Sequence, residues 1–442
     1  MTGSALPDGT GVLDRLRREG IDFVQLEFTD IPGAQKSVTI PASRIEMSLD
    51  HGVWFDGSAV EGLARVAEHD LYLRPDLSTF ARVPWVERPS ARIICDLEFP
   101  DGRPFLADPR RALKRVVAET AELGFTYRAA CELEFSIFGG SGTPLAPIDS
   151  GGYFEETTAQ AEELCREACR ALVALGIDVE MSHHEVAPGQ HEVDLAVMDA
   201  LTLADAIVAL KTSLRTYGRR RGLLVSFMPK PIEGTSGSGL HVQQELRTRN
   251  GTDAFFAADD PYQLSESGRR FIAGQLAHAR GLCAVIAPLV NSYKRLMGGA
   301  EAPGHVSWAR TNRGSYIRVP SISPGGGMRI ELRAPDPSCN PYLALAAMLA
   351  VGIDGIRNAL TLPEPVEELG RPTARGPVDQ DAAELLPRTL DEALEGLEWD
   401  PVVRGALGQE IYERFLAAKE QEWEAHSAHV SQWELRTYLE RA

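Results

Sequence analysis

Residues 183–194 read His183-His184-Glu185-Val186-Ala187-Pro188-Gly189-Gln190-His191-Glu192-Val193-Asp194. Pro188-Gly189 is a turn signal between two short strand patterns, HHEV (183–186) and HEVDL (191–195), which predicts a hairpin. Glu185 and Glu192 would then face each other across it. Like charges side by side on a sheet are unfavourable unless a cation lies between them. The reading to extend outward is therefore a sheet that carries carboxylates on one face.

Glu132 and Glu134 sit in C-E-L-E-F (131–135), where period two points both to one face and Leu133 and Phe135 to the other. Taken alone, the pair fits a solvated outer face better than a site. His241 follows the glycine-rich Gly237-Ser238-Gly239 at the start of another strand; a lone histidine there is more often structural than a ligand, so it counts only alongside the carboxylates. Arg329, Glu331 and Arg333 alternate in R-I-E-L-R, which is either an ion-pair ladder or an anion-plus-metal site. Five carboxylates and one imidazole form a donor set suited to magnesium or manganese over zinc. Two such ions would hold polyphosphate oxygens while arginines neutralise the transferring group. Neither a P-loop nor a dinucleotide glycine fingerprint is present.

Strand patterns fill residues 23–28, 37–40, 71–73 and 91–99, and Asp108-Pro109 opens a helix to about Leu123. Helices are predicted over 159–175, 199–221, 261–283, 341–360 and 407–424, among further strands at 131–138, 222–228, 239–246, 315–320 and 328–334. Such grouping indicates an α+β fold and not a doubly wound sheet. A small unit over 1–105 and a large one over 106–442 are expected. The stretch 361–388, rich in Pro, Glu and Gly, reads as a surface excursion.

The 442 residues carry 45 basic and 63 acidic side chains, a net charge of −18. Nucleic acid and anionic membrane are poor partners for such a surface. Arg219 to Arg221 reads as a solvated helix end. No apolar run approaches the roughly 20 residues of a spanning helix, and the N-terminus lacks the basic and apolar regions of a signal peptide. Six scattered cysteines without C-x-x-C suit a reduced, cytoplasmic setting.

The chain resembles class I glutamine synthetases from about Val24 to Leu439. The carrying motifs are FDGSAVEG (55–62), CELEF (131–135), HHEVAPGQHEVDL (183–195), FMPKP (227–231), SGSGLH (236–241), NSYKRL (291–296), EAP (301–303), NR (312–313), IRVP (317–320), RIELRAPD (329–336) and NPYLALAAML (340–349). The resemblance implies an N-terminal β-grasp domain and a catalytic domain with a curved antiparallel sheet and surrounding helices. It implies a dodecamer of two six-membered rings with active sites between neighbours. It also implies ATP-dependent activation of the glutamate γ-carboxylate as an acyl phosphate, followed by attack of an amine.

Position by position, the resemblance makes Glu134, Glu185 and Glu192 ligands of one Mg2+ or Mn2+, and Glu132, His241 and Glu331 ligands of the other. Arg295 and Arg333 match arginines that hold glutamate and the transferred phosphoryl group. Gly237 belongs to the loop beside glutamate. Arg313, Arg318 and Arg329 match nucleotide-phosphate contacts, and Glu180 a ribose contact. Asp56, from the adjacent subunit, matches the residue that binds and deprotonates the amine, and Tyr153 another wall of that pocket. Glu301 matches the flap glutamate that keeps water from the acyl phosphate.

Several positions depart from the family pattern. Ala59 replaces a serine in F-D-G-S-S, and Gly298-Gly299-Ala300-Glu301 replaces P-G-Y-E. Gln243 and Glu245 stand where histidine and serine follow the metal histidine. Ser236-Gly237-Ser238-Gly239 lacks the asparagine of N-G-S-G, and Gly325 to Gly327 replace a more basic stretch. Ala59 and Ala300 make the amine pocket larger and less polar. They favour an organic amine or polyamine as acceptor, with ammonia as the alternative. The variants and the ending HVSQWELRTYL (429–439) are similar to actinobacterial γ-glutamylpolyamine synthetases. No tyrosine lies between Tyr342 and Tyr412, so the adenylylation-loop tyrosine of some relatives is missing.

Overall fold

Apolar–polar alternation builds the first sheet. The computed structural model describes residues 9–61, 70–140, 146–297, 302–322, 326–367 and 384–441. Strand β1 (Phe23–Thr29) buries Val24, Leu26 and Phe28 and turns back through D-I-P-G into β2 (Gln35–Pro41). With β3 (Val53–Asp56), β4 (Asp70–Pro75), β5 (Ala81–Arg82) and β6 (Ser90–Glu98), they form a six-stranded sheet. Its order is β2-β1-β6-β4-β3, with β5 on β6. The β1–β6 pair is parallel and the others antiparallel.

The second sheet has nine strands: β7 (Phe125–Gly139), β8 (Ala146–Pro147), β9 (Val179–His184), β10 (Gln190–Asp199), β11 (Leu223–Ser226), β12 (Leu240–Thr248), β13 (His305–Ala309), β14 (Ser315–Arg318) and β15 (Ile330–Leu332). The main order is β13-β14-β15-β12-β7-β10-β9. It is antiparallel as expected except for the parallel β13–β14 pair. The α+β reading therefore holds. The Ala200–Arg220 helix packs on the sheet, and the Pro341–Arg357 helix packs against that helix and others. The latter is apolar nearly all round and buried, as a helix enclosed on every side must be.

The two sheets are tied through polar contacts. Asn340 caps the Pro341–Arg357 helix and its amide donates to the carbonyls of Asp30 and Ile31 at 3.0 and 3.1 Å. Gly33, with φ +93°, lets the D-I-P-G turn approach: a Cβ there would stand 2.9 Å from Asn340 Cα. Arg110, 3% exposed, donates to Asp96 beside the first sheet and to both oxygens of Asp205 on the Ala200–Arg220 helix. It also pairs with Asp76 at 2.9 Å. The Tyr342 hydroxyl donates to the same Asp205 at 2.6 Å.

One expected helix is divided. Instead of running over 261–283, the chain forms Glu266–Ala277, capped by Ser265, and Ala279–Ile286, with His278 at the break. The His278 ring spans two carboxylates: Nδ1 is 2.8 Å from Asp400 Oδ2 and Nε2 is 3.1 Å from Asp354 Oδ2. Burial alone lowers its pKa, but the hydrogen bonds and charges of Asp400 and Asp354 outweigh burial and raise it. A raised folded-state pKa gives stability that is full below the unfolded value of about 6.5 and lost as pH climbs through the folded value. The Tm gap between the protein and His278→Gln is therefore expected to be widest near about pH 6 and to narrow by about pH 9. A gap that does not change over that range would contradict the double clamp.

The Arg219–Arg221 helix end is only partly solvated. Arg220 donates to the Trp85 carbonyl at 2.5 Å and Arg221 pairs with Glu167 at 2.6 Å. All six cysteines are unpaired and five are buried. Among the described residues no helix is long and apolar enough to cross a membrane.

Candidate active site

Cross-strand register arranges the acidic residues in rungs across one face of the nine-stranded sheet. Glu192 stands opposite Glu134 on one side and His183 on the other. Asp194 stands opposite Glu132, and Glu132 opposite His241. Gln243 stands opposite Glu331, and Glu331 opposite Arg318. Period two turns all of these side chains toward a cavity of about 560 Å³, apart from Gln243, which lines an adjoining one. The hairpin pairing differs from expectation: Glu192 faces His183, and Glu185 lies one step beyond β9, in the turn. Even so, ligand atoms of His183, Glu185 and Glu192 all lie within 4.8 Å of one another, as do those of Glu132, His241 and Glu331.

Glu134 is placed between the two groups. Its Oε2 accepts from Gln190 Nε2 at 2.8 Å and from Gly239 N at 3.0 Å, while Oε1 is 3.8 Å from His241 Nε2. Burial, then the charges of Glu134, Asp194 and Glu132, raise the pKa of Glu192. Burial also raises Asp194; a hydrogen bond with Glu192 offsets this in part, and the Glu132 and Glu180 charges help bring it to about 7. Glu132 moves the other way: burial opposes ionisation, but the hydrogen bond and charge of His241 and the Gln243 amide bring it down to about 2. Carboxylates crowded this closely fit divalent cations, because oxygen donors with one or two imidazoles suit hard ions and would lose their mutual repulsion on binding one.

The arginines frame the same cavity. Glu331 is fully buried and accepts from Arg318 at 2.5 Å and from Arg333 at 3.1 Å. Arg329 does not join this row: it bonds Glu245 at 3.2 Å and Gln243 at 3.0 Å. Arg295, buried, donates to the carbonyls of Ala334, Pro335 and Arg333. Gly237 and Gly239 pack on its side chain, where a Cβ at Gly237 would meet Cγ at 2.9 Å. Burial lowers the pKa of Arg295 against the pull of Glu134 and Asp336. Arg313 and Tyr153 line the cavity too. Tyr153 and Phe154 set their rings against His183, at centroid distances of 5.8 and 4.7 Å.

Glu180 and Arg329 line an adjoining cavity of about 400 Å³, which shares Glu132, Asp194 and Arg318 with the first. Asp56 and Ala59 are not among the residues lining either cavity; Asp56 ends β3 in the first sheet. Ala300 and Glu301 lie outside the described residues. His183 and Asp194 were missed as candidates. Both lie in the quoted stretch: period-two alternation from Glu192 reaches Asp194, and from Glu185 it reaches His183.

Comparison with known proteins agrees with this layout. The family model described as glutamine synthetase, catalytic domain, matches residues 106–438, and that described as glutamine synthetase, beta-Grasp domain, matches residues 20–100. A glutamine synthetase of Thermus thermophilus is 46% identical over 439 residues, covering 97% of this chain and 98% of the relative. One from Thermotoga maritima is 44% identical over 430 residues, covering 96% and 98%. Among solved structures, a chain titled apo GmaS without ligand superposes with a TM-score of 0.86 at 31% identity, covering 97% of this chain and 99% of that one. Similarity of this extent, with the two family models matching 20–100 and 106–438, makes the chain a member of the glutamine synthetase family.

Proposed function

We propose that the protein is an ATP-dependent ligase that joins the γ-carboxylate of glutamate to ammonia, as a glutamine synthetase. The observation that carries the reaction class is the pair of donor groups side by side on one sheet face, with Arg295, Arg318 and Arg333 around them. Glu132, His241 and Glu331 would hold one Mg2+ or Mn2+, and Glu134, Glu185 and Glu192, with His183 alongside, the other. Bound there, such ions supply charge neutralisation and orientation of polyphosphate oxygens.

The chain's own groups do the rest. Arg295 and Arg333 hold glutamate so that a γ-carboxylate oxygen attacks the γ-phosphorus of ATP and ADP leaves. Arg313, Arg318 and Arg329 take nucleotide phosphates, with Glu180 at the ribose. Ammonium is no nucleophile until it loses a proton, which Asp56 and Glu185 are placed by type to accept. The amine then attacks the acyl carbon and phosphate departs. Glu301 closes over the acyl phosphate, which water would otherwise hydrolyse. Tyr153 lines the cavity on the proposed acceptor side, and the resemblance adds Ala59 of the neighbouring copy and Ala300.

Asp56 is not among the residues lining the two cavities described above, and its proposed place is in the site of a neighbouring copy. Association is supported by exposed apolar side chains beside it, at Trp54, and near the C-terminus at Val430, Trp433, Tyr438 and Leu439. A dodecamer of two hexameric rings is the proposed assembly, built from units divided near residue 105. Six free thiols fit a reducing cytoplasm.

The organic-amine acceptor expected from the sequence becomes the second reading. Relatives named glutamine synthetase reach 42–46% identity over nearly the whole chain. Ala59, the Gly298–Ala300 segment and the ending at 429–439 speak for a larger acceptor. The deciding assay measures phosphate release from ATP, Mg2+ and glutamate with ammonium and with a panel of alkylamines and polyamines. Ammonium is expected to give the highest kcat/KM. A higher value with an amine would install the second reading, and no turnover with any acceptor would overturn both.

A further inference from the structure

One carboxylate behind the sheet holds the hairpin at three points. Asp149 Oδ1 is 2.8 Å from His184 Nε2 and accepts from the backbone N–H groups of Gly189 at 2.8 Å and Gly151 at 3.3 Å. Asp149 Oδ2 accepts the Thr157 hydroxyl. Thr157 Oγ1 in turn lies 3.1 Å from His191 Nε2. His184 and His191 are opposite each other in the β9–β10 register, both buried, with ring centroids 4.8 Å apart.

Each histidine immediately precedes a carboxylate of the cavity, Glu185 or Glu192. Alternation sends the histidines to the back of the sheet and Glu192 to the front. His184 also reaches Glu185 directly, with Nδ1 2.6 Å from the Glu185 carbonyl oxygen. The 149–157 loop fits closely over this ring. A Cβ at Gly151 would stand 2.9 Å from His184 Nε2, and Phe154, with φ +60°, donates its N–H to the His184 carbonyl at 3.0 Å. A non-glycine residue in that conformation is held there at some cost by its surroundings.

We propose that Asp149 is a positioning residue for the cation held by Glu185 and Glu192: by gripping His184, the Gly189 turn and the Thr157–His191 pair together, it fixes the spacing of the two carboxylates. The inference rests on the function proposed above. Outer partners that orient metal ligands typically change affinity by about 10–100-fold when removed.

The test is Mn2+ titration of the full-length assembled protein, followed by calorimetry and by the electron paramagnetic resonance of free Mn2+. The unaltered protein is compared with Asp149→Asn and Thr157→Val. Asp149→Asn is expected to weaken one class of Mn2+ site by about 10–100-fold and leave the other unchanged, with turnover recovered at saturating Mn2+. Thr157→Val should shift the same class by less. Unchanged affinities in both variants would overturn the proposal. So would an additional Mn2+ lost on Asp149→Asn, since Asp149, His184 and His191 would then be ligands themselves. Should Asp149→Asn fail to fold, Thr157→Val decides, and no shift there overturns the proposal. Absence of Mn2+ binding and of glutamate-dependent ATP turnover in the unaltered protein would instead defeat the functional reading.

Discussion

Glu331→Ala should lower kcat/KM by more than about a hundredfold, the upper end of what loss of an outer-shell metal partner costs. Here a proposed ligand itself is removed. The same change should destabilise the fold by about 3–5 kcal/mol, because Glu331 is fully buried and accepts from two guanidinium groups, those of Arg318 and Arg333. Glu331→Gln separates the two effects. It keeps the volume and one oxygen acceptor but loses the charge, so most of the stability should return while Mn2+ affinity does not. Urea unfolding and Mn2+ titration on the same preparations read both quantities. Cation binding by Glu331→Ala equal to that of the unaltered protein would remove Glu331 from the metal set.

Arg110→Ala should produce the largest loss of stability without touching the cavity. Arg110 binds Asp76 and Asp96 on the side of the first sheet and Asp205 on the side of the second. Its removal takes the guanidinium from buried Asp205, which keeps the Tyr342 hydroxyl, while Asp76 and Asp96 keep Lys114; breaking such a buried pair costs about 3–5 kcal/mol. Arg110→Lys keeps the charge but not the planar fork that meets both Asp205 oxygens, and should fall between the two. Hydrogen exchange should show the six-stranded sheet losing protection first. Uniform loss across both sheets would argue that Arg110 does not join them.

Much of the site was legible because strand alternation is a local property. Period two alone puts Glu132 and Glu134 on one face of their strand and Glu331 on one face with Arg329 and Arg333, and the cap at Asp108 follows from residue type. What could not be read depends on partners far away in sequence. The break at His278 is fixed by Asp354 and Asp400, 76 and 122 residues further on. Arg329 leaves the Glu331 row because Glu245, on a neighbouring strand, offers it a buried acceptor. Asp149 carries no signal at all: a lone aspartate in a loop becomes a hub only once β9 and β10 stand in front of it. The Glu185–Glu192 pairing failed for a simpler reason. The turn takes more residues than Pro188-Gly189, so the register slips, and Glu192 meets His183 instead.

The buried thiols give the molecule a set of internal clocks. Cys131 lies in β7 next to Glu132 but on the opposite face, and Cys95 lies in β6 of the other sheet; each is 1% exposed. Burial pushes both thiols well above their usual pKa, so neither forms thiolate while enclosed. An alkylating reagent therefore reaches each one only when its own sheet opens, and the labelling rate measures the free energy of that opening. A divalent ion bound across the carboxylate rungs would slow the Cys131 clock and leave the Cys95 clock running at its former rate.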